Sequence, residues 1–232
     1  SLLNFIYSSN KYASLTYRNM PFLLSPHFSK LFNKKNIKRR ERIHGDGIIY
    51  DINSPEALDE IFFNNDIDFV KSELIVYIQL ILNSVNKNKY LSKNNLNFNR
   101  IDLINSILPN SKFLILIREP LQHAYSLLNQ HLNFCKLQKK DDFIRRYMNY
   151  LGHFEFGLSH KSWKSPLIYN NFNKIDYWLE QWLLIYQNIF KKYQYHKNCL
   201  FVIYEKLNNS DYLETIIEKI GLKNENLNLN YF

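Results

Sequence analysis

The run Phe113-Leu-Ile-Leu-Ile117, continuous in apolar residues and bounded by Lys112 and Arg118, constrains the fold of this chain more than any other segment. A run this short, apolar on both faces, is the pattern of a strand buried within a parallel sheet. Pro120 follows at once and opens a long stretch of helical spacing, since proline suits the first turn of a helix. Parallel strands need crossover helices, and the rest of the chain supplies them. Leu200 to Tyr204 reads as a second buried strand, preceded by an amphipathic helix from Ile175 to Phe190 with Trp178 and Trp182 on its apolar stripe. Helical spacing also covers Leu74 to about Asn86 and Ile101 to Leu108, the latter stopped by Pro109. Ser54 and Pro55 read as the start of a helix through Phe63, and Ser210 as the cap of a last helix ended by Gly221. The alternation predicts one α/β domain over residues 1–232, a parallel sheet flanked by helices.

Composition narrows the function classes. The chain carries a formal charge of +9, which attracts polyanions. Its densest basic run, Lys34, Lys35, Lys38, Arg39, Arg40 and Arg42, has no interleaved aromatics and no helix-turn-helix or RNA-binding signature, so nucleic acid is not an expected partner. Cys135 and Cys199 are too few and too far apart for a disulfide framework or a zinc site. That points to a reducing, cytoplasmic compartment and implies no metal. No run of about 18 apolar residues exists, so the chain holds no expected membrane segment. His123, His131, His153 and His160 lack the paired spacing of a metalloenzyme helix and read as packing residues.

Arg118 stands where the first clear strand stops, and ligands of open α/β sheets sit beyond the carboxyl ends of strands. Its planar guanidinium can grip a phosphate with two parallel hydrogen bonds. The helix opening at Pro120 is expected to offer free N–H groups to the same anion, and Ser126, eight residues after Arg118, a hydroxyl. The competing expectation is an Arg118 paired with Glu119 or Asp141.

Taken together, Arg118-x-Pro120 and Ala124-x-Ser126 resemble the 3′-phosphate-binding element of sulfotransferases that use 3′-phosphoadenosine 5′-phosphosulfate (PAPS). Lys93-Asn94-Asn95, 25 residues before Arg118, is similar to the strand-end lysine segment of that superfamily, and Tyr204-Glu205 to its Tyr-Glu pair. The segments His123 to His131 and Tyr147 to Gly157 look like a bacterial-type branch. The resemblance covers roughly residues 90 to 222. It implies a P-loop-like three-layer fold and a cofactor site built from Arg118, Ser126, Tyr204 and Ser1. The family's 5′-phosphosulfate loop is expected immediately before Ser1, because Ser1-Leu2-Leu3 resembles the helix that follows it; the chain is thus expected to lack the N-terminal strand and that loop. The family's Gly-rich loop near the C-terminus has no counterpart after Leu222.

The implied reaction moves a sulfuryl group from PAPS to a hydroxyl or amine, on a carbohydrate or small molecule, by in-line displacement. Lys93 would neutralise charge on the leaving phosphate or the sulfuryl oxygens. Some relatives carry a histidine two residues after this lysine. Asn95 stands there and cannot be a base, while other branches use a carboxylate nearer the N-terminus. The local candidates are His44 and Asp46, set between Gly45 and Gly47 or beside them, with Asp46 orienting the imidazole. Arg18 is expected to bind an acidic acceptor or to pair with a structural carboxylate. Two further readings are another P-loop-type nucleotide enzyme, such as a small kinase, and a non-catalytic polyanion-binding module.

Overall fold

The structure, a computed structural model, describes residues 2–23, 25–31, 39–41, 49–56, 59–63, 67–150 and 152–222. The chain is of mixed α/β type with short parallel sheets. It divides into two compact units, one of Ser1–Asn97 with Leu222–Phe232, the other of Phe98–Gly221.

In the first unit, α1 (Leu2–Ser8) buries Leu2, Phe5 and Ile6, positions one turn apart on one face. Asn10, at φ 57, turns the chain into β1 (Tyr12–Ala13). β2 (Arg40–Glu41) pairs antiparallel with β3 (Ile49–Tyr50). The helix expected from Ser54 begins later, as α2 (Glu60–Phe63). Ser54 Oγ accepts the Asp51 amide at 3.0 Å, Pro55 bridges Thr16, and the Glu56 amide donates to Leu15 O at 3.0 Å. A serine hydroxyl serves a turn as readily as a helix cap, and here the turn holds it. α3 (Ile67–Val85) buries Val70, Leu74, Tyr77, Ile78 and Ile81, and Asn86 at φ 52 ends it while the Lys87 amide reaches back to Leu82 O at 3.0 Å. β4 (Lys89–Tyr90) then lies parallel to β1, and the Leu91 amide extends the ladder to Ala13 O at 2.8 Å.

The second unit runs α4 (Ile101–Ile107), β5 (Phe113–Ile117), α5 (Pro120–Lys140), α6 (Asp142–Tyr150), α7 (Ile175–Tyr193), β6 (Cys199–Ile203) and α8 (Ser210–Ile220). β5 and β6 are parallel and in register, Phe113 opposite Cys199 through Ile117 opposite Ile203. The expected double burial of the first strand is not reached. All five residues of β5 are half-buried, and in β6 only Val202 is fully enclosed. Among the described residues each strand has a neighbour along one edge only, so its side chains are incompletely covered. The last helix is capped by Asn209, whose Oδ1 accepts the Tyr212 amide at 2.9 Å, and not by Ser210, its first residue.

Ala124 and Phe134 of α5, Ile144 and Met148 of α6, and Tyr177 and Trp178 of α7 form the core with Phe156. Two adjacent side chains of α7 tie down the segment before it. Gln181, wholly buried, accepts the Trp163 and Lys164 amides at 2.9 and 3.0 Å and donates to Lys164 O at 2.9 Å. Glu180 accepts the Ile168 amide at 2.8 Å and that of Tyr169 at 2.9 Å. His131, also buried, accepts the Gly157 amide at 3.3 Å and lies edge-on to His160, ring centroids 5.3 Å apart. Burial, aided by His160, pushes His131 from its ordinary 6.5 down to about 4.

Gly157 and Gly221 both sit at positive φ, 86° and 78°, but a Cβ at Gly157 would come 2.5 Å from Gln138 Oε1 whereas one at Gly221 meets nothing within 4 Å. Gln138 is buried and fixed by the Leu158 amide at 2.7 Å. Gly221→Ala is therefore expected to lose about 1 kcal/mol, and Gly157→Ala roughly 2 to 4 kcal/mol, in urea unfolding. Equal losses would show that Gln138 moves aside freely.

Because His131 is held neutral in the fold and protonates more readily in the unfolded chain, stability is full above pH 6.5 and falls as pH drops toward 4. The shift corresponds to a loss on the order of 3 kcal/mol. His160, held below its ordinary value by burial, adds to the same limb. Unfolding curves between pH 7 and 4 should be markedly flatter for His131→Asn, and an unchanged slope would reject the assignment.

Candidate functional site

The register of β5 and β6 decides what stands beyond their carboxyl ends. After the last pair, Ile117 with Ile203, come Arg118 and Tyr204, and the guanidinium carbon lies 5.3 Å from the centroid of the Tyr204 ring. At that distance the negative face of the ring attracts the cation. Arg118 Nε is buried and has no hydrogen-bond partner. One residue further, the Glu119 amide donates to Glu205 Oε1 at 2.8 Å, stitching the two strand ends together. That bond, assisted by the charge of Arg118, keeps the Glu205 carboxyl below its usual range.

The anion-binding helix end expected from the sequence is filled by the chain itself. Glu119 caps α5, its carboxylate accepting the Leu121 amide at 3.1 Å and the Gln122 amide at 2.6 Å, and its carbonyl the His123 amide at 2.9 Å. Pro120 has no N–H. Glu119 thus serves the helix dipole where a phosphate was expected to do so. Asp141 is likewise engaged at a helix start, accepting the Phe143 amide at 2.9 Å.

His123, in the first turn of α5, joins the site. Its Nδ1 is buried without a partner, and its ring lies 6.4 Å from that of Tyr186. Burial lowers its pKa first and Arg118 second, while Glu205 opposes them. Tyr186 donates to Leu116 O at 2.7 Å, which fixes α7 to β5, and burial pushes its hydroxyl up to about 12. Trp182 packs on Tyr186 at 4.6 Å with its Nε1 buried and unpaired. Sequence reasoning gave His123 to packing. The available signal was its place in the first turn after Pro120, within reach of the strand end.

Of the residues expected to form the site, Arg118 and Tyr204 are brought together. Ser126 stands exposed on the second turn of α5. Lys93, in the first unit, is exposed three residues past β4, between Ser92 and Asn94. Ser92 donates to Asp59 Oδ2, and Asn94 Nδ2 donates to Glu60 Oε2 at 2.6 Å. Both carboxylate residues are buried, Asp59 at 4% and Glu60 at 3% exposure, and Asp59 Oδ1 has no partner. Burial raises the pKa of Asp59 against the bonds from Ser92 and Asn94. The guanidinium of Arg18 donates to Asn53 Oδ1 through Nε at 3.2 Å and Nη2 at 2.8 Å, a side-chain amide and not the carboxylate that the structural reading expected. His44, Asp46 and Ser1 lie outside the described residues.

Among the described residues no three His, Cys, Asp or Glu side chains gather as a metal site, and no helix is long and apolar enough to cross a membrane. No family model matches the chain, and no curated protein or solved structure does either.

The site predicts a titration readable by NMR without any ligand. His123 should titrate below the ordinary histidine value, move up in Arg118→Ala, and move down in Glu205→Gln. Shifts in the same direction for both variants would contradict the arrangement.

Proposed function

We propose that this chain is a PAPS-dependent sulfotransferase with a P-loop-like three-layer fold, acting in the cytoplasm on a hydroxyl or amine of a carbohydrate or small molecule. The observation that carries the reading is Arg118 at the end of a parallel strand pair, stacked on Tyr204 with a buried, unpartnered Nε. An unsatisfied buried donor on a fixed guanidinium suits an oxyanion of the ligand. In this reading Arg118 and Ser126 hold the 3′-phosphate of the donor. Glu119 and Glu205 both accept backbone amides, and the charge of Glu205 also acts on Arg118.

Lys93 stabilises the charge that develops on the leaving phosphate as sulfur passes to the acceptor. The acceptor's proton goes to His44, oriented by Asp46. Both cysteines are free thiols, in keeping with a reducing compartment. Nothing in the scheme calls for a metal.

Calorimetry is the test. The protein should bind adenosine 3′,5′-bisphosphate much more tightly than adenosine 5′-phosphate, and Arg118→Ala should remove about 1.5 to 3 kcal/mol of that binding, as expected for a charge-assisted hydrogen bond. Equal affinity for the two nucleotides would remove the 3′-phosphate assignment. Preference for ATP with Mg²⁺ would favour a kinase, and unsaturable binding of polyanions a non-catalytic module.

A further inference from the structure

Lys93 stands between two residues whose side chains reach back to consecutive carboxylates. Exposure alternates along this stretch: Ser92 and Asn94 are half-buried, Lys93 and Asn95 exposed. Ser92 Oγ donates to Asp59 Oδ2 on one side of the lysine, and Asn94 Nδ2 to Glu60 Oε2 at 2.6 Å on the other. Asn94 also closes a turn, its Oδ1 accepting the Leu96 amide at 2.8 Å and its carbonyl the Asn97 amide at 3.2 Å. Upstream, the Leu91 amide is fixed to Ala13 O at 2.8 Å. The backbone that carries Lys93 is therefore held before and after the lysine, which is itself exposed between two half-buried neighbours.

From this clamp we propose that Asp59 and Glu60 are positioning residues for Lys93, aiming its ammonium at the sulfuryl donor. The inference rests on the function proposed above. Two points favour a role beyond shape. Burying neighbouring carboxylates is unfavourable unless each is well satisfied, yet Asp59 keeps one oxygen enclosed and unpartnered, so packing alone is poorly served by it. A lysine also has a long stem with much rotamer freedom, and fixing its backbone between two anchors reduces the arrangements that must be lost when an anion is gripped.

The experiment is a mutant cycle on the affinity for PAPS without acceptor, measured by calorimetry. Asp59→Asn and Asn94→Ala are each made alone and together with Lys93→Ala, and Ser92→Ala removes the Asp59 contact from the half-buried serine should Asp59→Asn fold poorly. Each single clamp variant is expected to weaken binding roughly three- to tenfold, and to have less than about a twofold effect once Lys93 is alanine, since residues acting through one another are not additive. A purely structural Asp59 would weaken binding equally in both backgrounds, and that result would overturn the inference while leaving the proposed function intact. If Lys93→Ala itself changes nothing, both the lysine's role and the clamp's are rejected, with Arg118 unaffected. Absence of any PAPS binding by the unaltered protein overturns the function and the inference together.

Discussion

Five successive residue pairs hold β5 and β6 in parallel register, and the candidate site exists because of where that register ends. Side chains alternate faces along a strand, so sliding β6 by one residue would carry Tyr204 away from Arg118 and set Ile203 or Glu205 against the guanidinium. The Glu119 amide would then lose Glu205 as well. The tyrosine of α7 that bonds Leu116 O adds a third element to the same strand end, so that sheet register, the start of α5 and the height of α7 are fixed at one place. Precision there does not require a large core. It requires that several short-range contacts agree.

A common device appears at two points in the molecule. At the start of α5, Glu119 and Glu205 accept backbone amides; at the start of α2, Asp59 accepts Ser92 through one oxygen and Glu60 accepts Asn94. In each case the carboxylates accept from neutral donors, and a cation, Arg118 or Lys93, adjoins in sequence one of the residues involved, Glu119 in the first case and the donors Ser92 and Asn94 in the second. Neutral donors hold the carboxylate in place while its negative charge remains and still favours the nearby cation, as between Glu205 and Arg118.

The strand, turn and helix around Arg118 were legible because the hydrophobic period changes there and proline marks the change. The contact of Arg118 with Tyr204 was not itself expected: the second strand was read as Leu200 to Tyr204, and its actual register, one residue earlier, is what sets Tyr204 beside Arg118. Three things were not legible, for physical reasons. Ser54-Pro55 carries the residues of a helix start, but contacts with Leu15 and Thr16, distant in sequence, claimed it for an extended segment. Glu119 as its own helix's cap was hidden because an acidic residue before Pro120 suits either a cap or a partner for arginine. The clamp on Lys93 joins residues 33 and 34 positions apart, and nothing local in Asp59 or Glu60 points to Ser92 or Asn94.

The tethers from α7 carry a consequence for how the second unit opens. Gln181 makes three hydrogen bonds to residues 163 and 164, and Glu180 reaches 168 and 169, so a long irregular segment is fastened to consecutive positions of one helix. Opening that segment alone would strand the amide of a wholly buried glutamine inside the core, next to Trp178. Loop and helix are thereby joined into one cooperative block, whose amide protons exchange with solvent through a shared opening event despite the loop having no regular ladder of its own.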